Sequence, residues 1–139
     1  MKYNKGFTLI EIVITLAIAS SLIAFSIIGI SRFGNSIQCN YSINQVFADI
    51  KLTQQLADTS LQECKIEFKA GKNEYKIIRG NNLFRSCSVN KKIQFYGKSY
   101  FSFVPSGYTD VGGSGTLYLG GYPKVKKIIV SSRGRIRIE

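Results

Sequence analysis

The feature that most constrains this chain is an apolar run over residues 7–30 that holds a single charged side chain, Glu11. At about 1.5 Å rise per residue such a run measures about 36 Å as a helix, enough to cross a hydrocarbon core of ~30 Å with some tilt. A carboxylate inside a membrane span is costly unless it finds a partner, and intramembrane ionisable residues are rare and usually functional. Glu11 therefore asks for a role beyond anchoring. The small residue Gly6 stands before the apolar run, whereas a secretory signal carries its small-residue cleavage site after a shorter apolar core. Cleavage beside Gly6 would leave the apolar helix on the mature protein.

The segment Gly6-Phe7-Thr8-Leu9-Ile10-Glu11 resembles the class III leader of type IV pilins and pseudopilins. The resemblance implies that residues 1–6 are a leader, that a prepilin peptidase cuts after Gly6, and that the new N-terminal Phe7 is methylated. It also implies other pilin or pseudopilin subunits and an inner-membrane assembly platform as partners. With Gly6 gone, the Phe7 amine and the Glu11 carboxylate lie four residues apart on one helical face, and a methylated amine stays cationic near neutral pH. In the family this pairing is thought to join neighbouring subunits, which makes Glu11 an assembly residue. Lys2 and Lys5, with no acidic residue before Glu11, place the N-terminus in the cytoplasm by the positive-inside tendency. The expected location is a single-pass inner membrane protein with a periplasmic head before assembly, and a pilus or pseudopilus afterwards.

Composition agrees with this layout. About 110 residues remain beyond the span, room for one small domain. The chain has no histidine and no tryptophan, which removes imidazole acid–base chemistry and histidine metal ligation. No phosphate-binding P-loop, nucleophile elbow or metal-spaced cysteine pair is present. No enzyme, cofactor or metal is expected, and Gly112-Gly113-Ser114-Gly115 is expected to be a flexible loop. Three cysteines, Cys39, Cys64 and Cys87, fall outside zinc-finger spacing, in a compartment that permits disulfides. The preferred pair is Cys64 with Cys87, leaving Cys39 free, although connectivity cannot be read from sequence alone.

Past the span, Ile43, Val46, Phe47, Ile50, Ala57 and Leu61 follow a period near 3.6, with Gln45, Asp49, Gln54 and Asp58 largely on other faces. This predicts an amphipathic second half of one long helix over residues 31–62. From residue 63 the pattern changes to short β-branched and aromatic runs separated by turn signals. Strands are expected at 65–70, 74–79, 83–86, 93–96, 100–104, 116–119, 125–131 and 135–138. The fold class is α+β: a long N-terminal helix, transmembrane in its first half, packed on an antiparallel β-sheet head over 63–139.

The tail carries a second resemblance. Its hydrophobic strand, turn and Gly134-Arg135-Ile136-Arg137 resemble the close of the head in the FimT and GspH group of minor pilins and pseudopilins. In FimT-like members a Gly-Arg-x-Arg element is associated with DNA capture. Charge is consistent with that: of the net +11, +10 falls from Glu63 onward, and a basic surface favours polyanions. The densest stretch holds Lys124, Lys126, Lys127, Arg133, Arg135 and Arg137. If the last strand ran through Gly134, Arg133, Arg135 and Arg137 would project from one face and each could engage a phosphate of double-stranded DNA. Tyr108, Tyr118 and Tyr122 offer rings for stacking. Two functions stay open: a DNA-capturing minor pilin of a type IV pilus or competence pseudopilus, and a structural subunit, GspH-like or pilus-initiating, whose basic tail only blunts a sheet edge.

Overall fold

The computed structural model describes residues 8–121 and 124–139, without the side chains of residues 27–33, 35, 36, 121 and 124. The cleavage residues Gly6 and Phe7, Tyr122, and the side chain of Lys124 lie outside the described residues. The chain forms two compact units, Met1–Ile37 and Gln38–Glu139.

The first unit is the opening part of helix α1, Leu9–Ser60. Thr8 caps it: its carbonyl accepts the Ile12 N–H at 3.2 Å, and its Oγ1 accepts the Glu11 N–H at 3.4 Å. Glu11 thus sits in the first turn, where the helix dipole favours a carboxylate. Leu9–Ser26 is long and apolar enough to cross a membrane. Its hydroxyls do not spoil that, because Thr15, Ser20, Ser21 and Ser26 donate to carbonyls one turn back at 2.8–2.9 Å.

Among the described residues, the second unit holds the rest of α1 and eight strands, β1 Cys64–Phe68, β2 Glu74–Arg79, β3 Asn82–Ser88, β4 Gln94–Gly97, β5 Tyr100–Phe103, β6 Gly115–Gly121, β7 Lys124–Val130 and β8 Ile136–Ile138. They form two antiparallel sheets, β3-β2-β1-β5 and β4-β6-β7-β8. Each expected strand is present, with ends displaced by up to two residues. The β1–β2 hairpin turns through Gly71, whose φ of 69° suits glycine. Phe68 and Tyr75 from the first sheet meet Phe95 from the second, and Phe101 packs edge-on against Phe68, with neighbouring ring centroids 5.1–5.9 Å apart. This aromatic knot joins the two sheets, and Ile43, Val46, Ile50 and Ala57 of α1 are buried in the same core.

Four expectations need correction. Leu61 is not part of the helix stripe: α1 ends at Ser60, and Leu61 is exposed with φ 53°, the left-handed position that commonly closes a helix. Asp49 does not face solvent but is buried at 7% exposure. The Gly112–Gly115 segment is packed rather than free, since a Cβ on buried Gly113 would stand 2.6 Å from the Ser102 carbonyl oxygen. Finally, Cys64 and Cys87 are not bridged, and all three thiols are free. Cys64 pairs across β2 with Arg79 while Cys87 pairs with Tyr75. The two are therefore two strand spacings and four residues apart, about 16 Å, well beyond the ~7 Å a disulfide can span. Burial raises both thiol pKa values.

Candidate nucleic-acid interface

The alternation of β7 sorts its lysines. Ile128 and Val130 are buried, so Lys127 and Ile129 take the outer face of the second sheet. Lys126 leaves β7 on the side of its partner Leu119, which is fully buried, so the expected lysine cluster is divided between two faces. Lys127 is also engaged: its Nζ lies 2.7 Å from Glu139 Oε2. That exposed pair raises the Lys127 pKa and lowers that of Glu139, and exposed pairs of this kind contribute little stability.

The last strand is shorter than expected, and this breaks the proposed arginine row. Ser132 and Arg133 form a turn, Gly134 adopts φ 75°, and β8 begins only at Ile136. Ser131 closes the turn, its carbonyl accepting the Gly134 N–H at 2.9 Å and its Oγ the Arg135 N–H at 3.1 Å. Arg133 is exposed on the turn, set apart from the period-two pattern. Arg135 and Arg137 remain exposed while Ile136 and Ile138 pack partly against the core. Arg137 pairs with Ile129, which places it on the outer face with Lys127.

Gly134 belongs to the scaffold rather than to the interface. It is buried, and a Cβ there would meet the Gly107 carbonyl oxygen at 2.2 Å and Gln54 Nε2 at 2.6 Å. Gln54 Nε2 donates to the carbonyls of Gly107 and Gly134 at 2.7 and 3.0 Å. The helix thereby holds the turn from which both arginines project. Sequence reasoning set Gln54 among the polar residues of α1 and gave it no such role.

Charge accounting narrows the interface further. Lys65 pairs with Glu67 and Lys69 with Glu74, and Arg85 Nη1 lies 3.6 Å from buried Asp49. Asp49 also accepts the Tyr75 hydroxyl, which in turn accepts from Gln45 Nε2 at 3.3 Å. Burial first, and the Asp49 carboxylate second, push the Tyr75 pKa far above the ordinary tyrosine range, so Tyr75 stays a donor and ties the first sheet to α1. Among the described residues, Arg133, Arg135 and Arg137 have no carboxylate within ion-pair distance.

Comparisons with known proteins fit this geometry. Residues 1–27 match the model of the prokaryotic N-terminal methylation motif. The fold is similar to the type IV minor pilin FimU of Pseudomonas aeruginosa, with TM-score 0.65, 12% identity, and coverage of 77% of this chain and 92% of that one. It is also similar to the minor pseudopilin EpsH from the type 2 secretion system of Vibrio cholerae, with TM-score 0.61, 12% identity, and coverage of 73% and 96%. The chain thus carries a prokaryotic N-terminal methylation motif at its start and has the type IV pilin-like fold, one long helix with two antiparallel sheets. In sequence, the chain is 27% identical over 138 residues to competence protein ComGD of Bacillus subtilis (strain 168), covering 98% of this chain and 94% of that one.

Proposed function

We propose that this chain is a non-enzymatic minor subunit of a competence pseudopilus or type IV pilus that captures extracellular double-stranded DNA through its C-terminal turn and strand. The observation that carries the reading is that, among the described residues, Arg133, Arg135 and Arg137 are exposed with no carboxylate within ion-pair distance, while Glu67, Glu74 and Glu139 are already paired with lysines. Arg135 and Arg137 are the principal phosphate contacts, Arg133 reaches out from the turn, and Lys127 joins once Glu139 is displaced. Such contacts hold the backbone without reading bases. The similarity to a competence protein along nearly the whole chain supports the DNA-uptake setting.

The test is salt-titrated binding of duplex DNA by the full chain in detergent micelles. Arg135→Gln with Arg137→Gln is expected to weaken binding and flatten the log–log salt slope by about 2, because each phosphate contact releases about one counterion. Circular dichroism should be unchanged, as both side chains are exposed. If the double variant binds like wild type at matched ionic strength, the tail is a charged edge. The short terminal strand β8 and the likeness to EpsH favour that structural reading as the alternative.

Assembly is proposed to depend on Glu11, paired in the filament with the methylated N-terminal amine of a neighbouring subunit's Phe7 after a prepilin peptidase has cut behind Gly6. Before assembly, the span lies in the inner membrane with the head outside the cytoplasm and docks on the assembly platform. Glu11→Ala should insert as well as wild type or better, since an intramembrane charge is removed, yet be depleted from sheared filaments. Equal recovery of mutant and wild type in that fraction would remove the pairing role.

A further inference from the structure

On the outer face of the second sheet, two tyrosines form the centre of a pattern that phosphate contacts leave unused. Tyr96 of β4 and Tyr118 of β6 are cross-strand partners, with Lys127 the next partner on β7. Both rings lie down over glycines. A Cβ on Gly120 would stand 2.9 Å from Tyr96 Cε2, and a Cβ on Gly97 would stand 2.9 Å from Tyr118 Cδ2. The Tyr96 hydroxyl donates to Gln94 Oε1, which fixes that ring further. The two side chains nonetheless remain 48% and 43% exposed. Covering sheet glycines with aromatics accounts for one face of each ring; the exposed remainder lies beside Lys127, with Arg137 beyond it on the same face.

We propose that this face is a stacking platform for single-stranded nucleic acid, a deepening that rests on the DNA reading above. Unpaired bases would lie on the Tyr96 and Tyr118 rings while the backbone follows Lys127 toward Arg137 and Arg135. Cross-strand spacing sets Tyr118 and Arg137 about 12 Å apart at Cα, within reach of a short oligonucleotide once the arginine's own length is included. Rings already immobilised over glycine lose little side-chain freedom on binding, and stacking tolerates any base because every base has a π face. A duplex presents no such faces along its length. The platform therefore predicts that the protein holds a single strand more tightly than a duplex of equal length and charge density.

The experiment uses the full chain in detergent micelles with short oligodeoxythymidylate and a blunt duplex of the same length. The chain has no tryptophan, so tyrosine emission reports stacking directly. Oligodeoxythymidylate is expected to quench that emission. Tyr96→Leu with Tyr118→Leu, which keeps apolar cover over the glycines, should abolish the quenching and weaken single-strand binding at least about tenfold with duplex binding unchanged. The Tyr→Phe pair should restore single-strand affinity. If the leucine pair binds the single strand as wild type does, the platform is wrong and duplex capture stands. Depletion of the leucine pair from filament fractions with oligonucleotide binding intact would instead make the face a subunit contact and also overturn the platform. If neither single strand nor duplex binds wild type at low salt, both readings fall.

Discussion

Replacing Gly134 with alanine is expected to destabilise the head by roughly 2–5 kcal/mol, through left-handed backbone strain and overpacking together. The φ of 75° disfavours any residue with a Cβ, and the new methyl would lie 2.2 Å from the Gly107 carbonyl oxygen. Gln54 could swing aside, but Gly107 is backbone and is itself held, its N–H bonded to the Val104 carbonyl at 2.9 Å. Heat unfolding of the full chain in detergent, followed by circular dichroism, measures the effect. Arg135→Ala is the control and should melt within a small margin of wild type, since exposed side chains away from such constraints rarely shift stability by more than ~0.5 kcal/mol. A Gly134→Ala protein that melted normally yet lost DNA binding would return this glycine to the interface and contradict its scaffold role.

The second large effect is all-or-none. Gly6→Val should leave the leader attached, while the wild-type chain should begin at Phe7 with a methylated amine. The N-terminal methylation motif over residues 1–27 motivates the expectation, and intact-mass measurement of membrane-extracted protein decides it. Wild type still carrying residues 1–6 in cells with an active prepilin peptidase would sink the proposed processing. Glu11 would then lack the neighbouring amine that its assembly role requires, leaving only the first-turn position and the Thr8 cap to account for it.

Much of the head was legible because its signals are local. Residues 74–79 form the expected strand to the residue, since alternation of Tyr75 and Ile77 with Glu74 and Lys76 needs only the chain's own period to be read. Asp49 was missed because a charged residue on an amphipathic helix is ordinarily solvated. Its partner Tyr75 lies 26 residues away on β2, and no local pattern announces such a pairing. Tyr96 was overlooked although its alternation with buried Phe95 could have pointed outward. Its pairing with Tyr118 required the register of β4 on β6.

By itself, the amino-acid sequence determined the apolar span, the placement of Gly6, Phe7 and Glu11, the succession of one helix and eight strands, and the basic excess of the head. Those follow from residue order, side-chain period and composition, which do not depend on distant partners. Tertiary structure alone decided which charges are available and which thiols can meet. Strand order separated Cys64 from Cys87, pairing engaged Lys127 and Arg85, and the close approach of Gly107 and Gln54 turned the chain at Gly134 so that Arg133 left the row of Arg135 and Arg137. The physical reason is that cross-strand register and backbone contact join residues far apart in sequence, so a side chain's face and its partners are set only when the sheets close over the helix.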